Sequence, residues 1–195
     1  MNSKLDKLRK TVLSCTKCQL AEGRENAVFG NGDPDAEIML IAEAPGFYEN
    51  KSGEVFQGNS GKLLDKILAA CGFTRDEHIY ISNIVKCKPP KNRVPTEAEK
   101  NACLPHLEKQ LKLINPKILV LLGATALRGL IDPKASITKM RGEWLEWQGR
   151  WVMPTYHPAA LLRSKSLKLP AWQDFQKIVA KYRELVDANH HSDYC

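Results

Sequence analysis

The apolar positions of the chain fall into two periods. Residues 38–42, Ile-Met-Leu-Ile-Ala, form an unbroken run that stops at Glu43-Ala44-Pro45-Gly46. A run bounded in this way predicts a buried strand that delivers a polar loop to a sheet edge. Residues 79–82 repeat the pattern ahead of Asn83, and residues 117–122, Lys-Ile-Leu-Val-Leu-Leu, are the strongest parallel-strand signal in the chain. Between these runs the period becomes helical. Leu5, Leu8, Val12 and Leu13 share a face within residues 3–14, and Leu63, Leu64, Ile67 and Leu68 share one within residues 62–70. Thr96 and Glu99 read as a capping box that opens a helix carrying Leu104, Leu107 and Leu111 to about Leu113. Gly123-Ala-Thr opens a further short helix, and residues 171–186, with Phe175, Ile178, Val179, Tyr182 and Leu185, predict a closing one. Residues 144–147 and 151–155 flank Gln148-Gly149 and predict a hairpin or closely turned strand pair. Residues 86–95 are basic and proline-rich, which excludes helix and central strand, and the polar C-terminus is expected to fray.

Strands alternating with helices predict a three-layer α/β/α fold around a mainly parallel central sheet. Parallel strands end on the same side, so Glu43, Asn83 and His157, which each follow a strand, are expected to gather at one rim. The intervening loop carries Pro45, Gly46, Gly53, Gly58 and Gly61, a constrained backbone suited to a shaped pocket. Phe56 lies among these glycines, either as a wall of that pocket or as a core aromatic anchoring the loop.

Length and composition add limits. With 195 residues and 43% hydrophobic content, one domain spanning residues 1–195 is expected. No apolar run approaches a membrane span and the first residues lack a secretory core, which predicts a soluble, cytoplasmic protein with no membrane partner. The formal charge of +7, from 29 Lys and Arg against 22 Asp and Glu, favours polyanionic partners.

The six cysteines, in a chain without a secretory signal, point to metal or redox chemistry rather than a disulfide scaffold. Cys15 and Cys18 form Cys-x-x-Cys, and Cys87 and Cys103 follow with 15 residues between them. Four thiolates can hold zinc or an iron-sulfur cluster, and spacing does not choose between them. The looser second pair suits a larger cluster at least as well, acting as a clamp on the N-terminal helix. Cys71 is expected in the core and Cys195 as an exposed tail thiol.

Ala42-Glu-Ala-Pro-Gly46, Val55-Phe-Gln-Gly58, Gly61-Lys-Leu-Leu64, the segment from Tyr80 to Pro90, and His157-Pro-Ala-Ala-Leu-Leu-Arg163 occur in one order together with the four cysteines. In this set the chain resembles the iron-sulfur uracil-DNA glycosylases, family 4 of that superfamily. The resemblance implies a [4Fe-4S] cluster on Cys15, Cys18, Cys87 and Cys103, and uracil-containing DNA as the partner of a monomeric hydrolase in base excision repair. It implies that Phe56 stacks on the extruded base, with Gly46 beside it, that Asn83 pairs with the uracil edge, and that His157 stabilises charge on the uracil oxygen. It places Leu161, Leu162 and Arg163 in the segment that enters the duplex; the alternative is a plain helix start with both leucines in the core. Ala42 stands where glycine is common, residues 46–53 are less acidic than the family's usual loop, and Ala44 stands where the wider superfamily carries an aspartate. Glu43 or Glu49 is therefore left to position the attacking water, or else to hold the loop through backbone hydrogen bonds. No basic insert with a reactive histidine is present, which favours turnover over covalent attachment. His78, His106, His190 and His191 match no motif and are expected at the surface. Rival readings are a non-catalytic DNA-binding or redox-sensing protein and a zinc-clamped nucleotide-binding module; a further partner such as a sliding clamp is left open.

Overall fold

In the computed structural model, which describes residues 3–195, the apolar runs pair into one sheet. Its strands are β1 (Asn31–Gly32), β2 (Ile38–Ala42), β3 (Ile79–Asn83), β4 (Ile118–Leu122), β5 (Leu145–Trp147) and β6 (Arg150–Thr155), in the order β1-β3-β2-β4-β6-β5. The four inner strands are parallel, and β1 and β5 close the edges antiparallel. The helices are α1 (Ser3–Leu13), α2 (Phe47–Ser52), α3 (Asn59–Ala70), α4 (Glu97–Ile114), α5 (Ala124–Leu130), α6 (Ile137–Met140), α7 (Pro158–Arg163) and α8 (Lys168–Leu185).

The two-residue period of the strands sorts their side chains into two layers. Met39, Ile41, Leu119 and Leu121 face a core shared with Leu8 and Val12 of α1, Leu107 and Leu111 of α4 and Leu127 of α5. Ile38, Leu40, Ile118 and Val120 face the opposite core, shared with Leu64 and Leu68 of α3 and with Phe175 and Val179 of α8. Each of these strand side chains is essentially without solvent contact, and each contributes about 1.5–3 kcal/mol of burial free energy. Both faces of the sheet are therefore covered, as a three-layer α/β/α fold requires. Among the described residues no helix is long and apolar enough to cross a membrane.

The capping box forms as read: Glu99 N–H donates to Thr96 Oγ1 at 3.3 Å and Thr96 N–H donates to the Glu99 carboxylate at 2.8 Å. The hairpin turns on Gln148 (φ 49°) and Gly149 (φ 73°), the paired positive angles that match the twist of adjoining strands. The loop after β2 differs from expectation, because α2 and the first turn of α3 lie within it. The inward-facing residues of α2 are Glu49 and Asn50, so its short period carries no apolar signal.

The C-terminal tail does not fray. The His190 ring stacks on Phe73 at 4.5 Å and its Nε2 lies 2.8 Å from the Cys71 carbonyl, while Ser192 donates to the Ala70 carbonyl at 2.9 Å. Arg183 donates to the carbonyls of His190 and Cys195, which leaves Cys195 half-buried against the second core instead of exposed. His190, expected at the surface, is buried because Phe73 and Tyr182 provide an aromatic socket for it.

Candidate active site

Register brings the strand ends level: Ala42 stands opposite Asn83 on β3, and Leu122 stands opposite Thr155 on β6. Glu43, Gly46, Phe56, Asn83 and His157 consequently line one cleft, although the first and last are more than a hundred residues apart. The rim read from strand direction is present.

Phe56 is 8% exposed and occupies the left-handed backbone region at φ 53°, uncommon for an aromatic residue. Two features over-determine this conformation. Gly61 lies under the Phe56 carbonyl, and a Cβ there would stand 1.8 Å from the oxygen. Arg75 donates to the Val55 carbonyl at 3.1 Å and to the Phe56 carbonyl at 3.3 Å. Arg75 carried no motif signal, since a long-range clamp onto backbone leaves no pattern in sequence. The Phe56 ring is both core and wall: it joins the second apolar core and stacks against His157, with centroids 5.6 Å apart and planes at 22°.

Asn83 is 3% exposed, and among the described residues its side-chain amide makes no hydrogen bond to protein. Neither of its polar atoms is sealed from solvent, so the donor pair and the acceptor face the cleft. With its polar atoms open to the cleft and no protein partner, the amide is free to pair with an occupant.

His157 caps α7. Its Nδ1 accepts the Ala159 N–H at 3.1 Å, which assigns the remaining proton to Nε2 and makes that nitrogen a donor. Burial pushes its pKa down to about 4, the Arg163 charge adds to the shift, and Glu49 opposes it. The imidazole is neutral near pH 7.

The two carboxylates part company. Glu49 Oε2 accepts the Gly46 N–H at 3.0 Å, and Oε1 accepts those of Gln57 at 2.8 Å and Gly58 at 3.2 Å. Both of its oxygens hold the loop, the alternative role read for Glu49, while the residue still lines the cleft. A Cβ at Gly46 would stand 2.7 Å from Glu49 Oε2, so a side chain there would push the carboxylate off the Gly46 amide. Glu43 is half-buried in the cleft, with Oε2 accepting the hydroxyl proton of Thr125 from α5. The segment after His157 also divides. Leu161 is 2% exposed and belongs to the interior, which overturns its place in a duplex-entering segment, whereas Leu162 is 51% exposed and Arg163 reaches the cleft. Successive residues on a helix point about 100° apart, so the pair cannot share one environment.

The cysteines build a second site. Cys15, Cys18, Cys87 and Cys103 line one small cavity between the end of α1, the proline-rich stretch and α4, all as free thiols. Arg24 donates to Cys87 Sγ at 3.1 Å, the Lys86 N–H donates to Cys103 Sγ at 3.3 Å, and His106 Nε2 lies 3.3 Å from Cys15 Sγ. His106 is buried, not at the surface as expected, and this sulfur contact accounts for it. Burial pushes the Cys87 and Cys103 thiols up, and Arg24 at Cys87 and Lys86 at Cys103 offset part of that shift, so without a bound cation both sulfurs favour the neutral thiol. Among the described residues no three Cys, His, Asp or Glu side chains approach closely enough to hold a single ion. The four sulfurs nevertheless share one cavity, and polar contacts reach Cys15, Cys87 and Cys103.

Lys86 joins the two sites. It is 1% exposed and, among the described residues, has no carboxylate partner; its ammonium donates to Asn83 O at 2.8 Å, to Gln110 Oε1 at 2.7 Å and to Ser82 Oγ. Burial lowers its pKa to about 8, against the pull of Cys103 and Cys87. Gln110 in turn donates to the Phe29 carbonyl at 2.9 Å, which completes a buried polar network that sequence reading did not find.

Residues 29–178 match the family model described as the uracil DNA glycosylase superfamily. The chain is 44% identical over 183 residues to the Type-4 uracil-DNA glycosylase of Sulfurisphaera tokodaii, covering 89% of this chain and 83% of that protein. It is 46% identical over 160 residues to the Type-4 enzyme of Thermotoga maritima, covering 81% and 83%. A Type-5 uracil-DNA glycosylase of Pyrobaculum aerophilum is 33% identical over 146 residues, covering 67% and 64%.

Proposed function

This chain belongs to the uracil-DNA glycosylase superfamily, and from that premise we propose that it excises uracil from DNA as a monofunctional hydrolase of the Type-4 kind, leaving an abasic site for repair. The observation that carries the reading is the meeting, in one cleft, of the Phe56 ring, the unpaired Asn83 amide and the His157 Nε2 donor. An extruded uracil stacks on Phe56. Its N3–H and O4 pair with the acceptor and donor of the Asn83 amide, an arrangement that cytosine reverses with its amino group and unprotonated N3.

Breaking the bond between sugar and base leaves electron density on the uracil and positive charge on the sugar. The neutral His157 donates from Nε2 to the uracil oxygen on which that density collects, and it needs no reorganisation because Ala159 already fixes its tautomer. Glu43, held by Thr125, is the cleft carboxylate left to face the sugar cation and to orient the water that attacks it. Glu49 acts indirectly, by keeping Gly46, Gln57 and Gly58 in place around Phe56. Leu162 and Arg163 meet the DNA at the mouth, the leucine against the gap left by the base and the arginine against phosphate.

Cys15, Cys18, Cys87 and Cys103, which line one cavity, would hold a [4Fe-4S] cluster. Bound there, the cluster would cross-link the segment after α1 to the proline-rich stretch and α4. Incubating the metal-loaded protein with an oligonucleotide carrying one uracil should yield free uracil and an alkali-labile site at that position. Absence of free uracil would overturn the reading.

A further inference from the structure

The residues flanking the cleft carry an unusual amount of exposed apolar surface. Of the seven large hydrophobic side chains exposed among the described residues, four are Phe47, Tyr48, Val94 and Leu162. These four are chain neighbours of cleft-lining residues, namely Gly46, Glu49, Arg93 and Arg163. Apolar surface concentrated around one opening marks a contact surface continuous with that opening.

Phe47 and Tyr48 are the aromatic members, 52% and 61% exposed, with centroids 5.5 Å apart and planes at 83°. Their outward placement is enforced from beneath. On the opposite side of α2, Glu49 holds the loop amides, while Asn50 accepts the Glu25 N–H at 3.0 Å, donates to the Glu25 carboxylate at 3.1 Å, and offers its carbonyl to Asn26 at 2.9 Å. The two rings are thus fixed beside the cleft. The Lys51 ammonium lies over the Phe47 ring, 4.7 Å from its centroid, and supplies a cation beside the two aromatics.

Aromatic faces flanked by a cation suit unpaired nucleobases and their phosphates. In a duplex each base face is covered by its neighbours and only edges are offered, whereas an unpaired strand presents faces. We propose that Phe47 and Tyr48 form a stacking platform for the unpaired bases next to the extruded uracil, so that single-stranded or bubbled DNA is the substrate class this rim grips most tightly. The proposal rests on the uracil-DNA reading above.

The test compares single-stranded and duplex oligonucleotides carrying one uracil, with wild-type protein and a Phe47→Ala/Tyr48→Ala double variant. The readout is the DNA concentration that gives half-maximal single-turnover rate. The variant should need about tenfold more single-stranded DNA and less than about twofold more duplex, as expected for losing base stacking alone. Replacing the bases beside uracil by baseless spacers should impose the same penalty on wild type and remove the difference between the proteins. Equal penalties on both DNA forms, or none, would overturn the platform. Fluorescence anisotropy with uracil-free single strands reads the same platform independently of excision. If wild type releases no uracil yet loses single-strand affinity on substitution, the glycosylase reading fails and the platform stands.

Discussion

The rim and the cysteine cavity are each assembled from distant parts of the chain, yet they treat their polar groups in opposite ways. At the rim the Asn83 amide and the His157 Nε2–H are kept rigid and unpaired, aimed at an occupant. Around the cysteines the donors of Arg24 and of the Lys86 backbone are already aimed at sulfur, and His106 lies against Cys15. A surface that withholds its hydrogen bonds is prepared to recognise and react, and a cavity that directs them inward is prepared to hold. Lys86 spans the two, with its backbone N–H on Cys103 and its ammonium on the carbonyl of Asn83. The holding site thereby supports the geometry of the reacting one.

The contrast can be broken from either side. The largest effect is expected from Cys87→Ser/Cys103→Ser, which should lose bound iron and visible absorbance and lower the melting temperature by more than about 10 °C, because ligation energy is folding energy. Retained stability in that variant would separate the cavity from the fold. Glu49→Ala strips the acceptor from three loop amides and should cost about 2 kcal/mol in chemical denaturation. It should also slow uracil release while iron content stays at the wild-type level. Equal losses of iron and activity would blur the distinction.

Glu99 provides a smaller, pH-dependent test. Arg93, followed by the Thr96 backbone and Gln19, holds its carboxyl down at about 2 from an ordinary 4.5. The folded protein therefore binds this proton less readily than the unfolded chain, and the resulting stability is present above pH 4.5 and lost as pH falls towards 2. Glu99→Gln should cost about 2 kcal/mol at neutral pH, after allowance for the partly exposed Arg93, and should flatten that acid slope in denaturation curves. The smallest effect concerns His157. With its pKa lowered from 6.5 to about 4, the excision rate should show no His157-dependent step across neutral pH. A step near pH 6.5 that disappears in His157→Gln would contradict the neutral-donor assignment.

The strands, the capping box and the convergence of Glu43, Asn83 and His157 were legible because apolar period, turn residues and strand direction are local signals with global consequences. The cysteine grouping was legible from spacing and resemblance. Contacts between distant backbone and side-chain atoms were not. Arg75 on Phe56, Thr125 on Glu43 and Lys86 on Asn83 depend on packing that no short window contains. The division of labour between Glu43 and Glu49 likewise depended on which carboxylate the folded loop engages, and Leu161 parted from Leu162 because helical rotation turns one of them inward.

The central claim is that the rim performs the reaction. Single-turnover uracil release by Asn83→Ala and by His157→Ala, each checked for wild-type iron content and melting temperature, tests it most directly. Each variant should fall by about a hundredfold or more, the loss expected when a preorganised transition-state hydrogen-bonding group is removed. Wild-type rates in both variants would contradict the account.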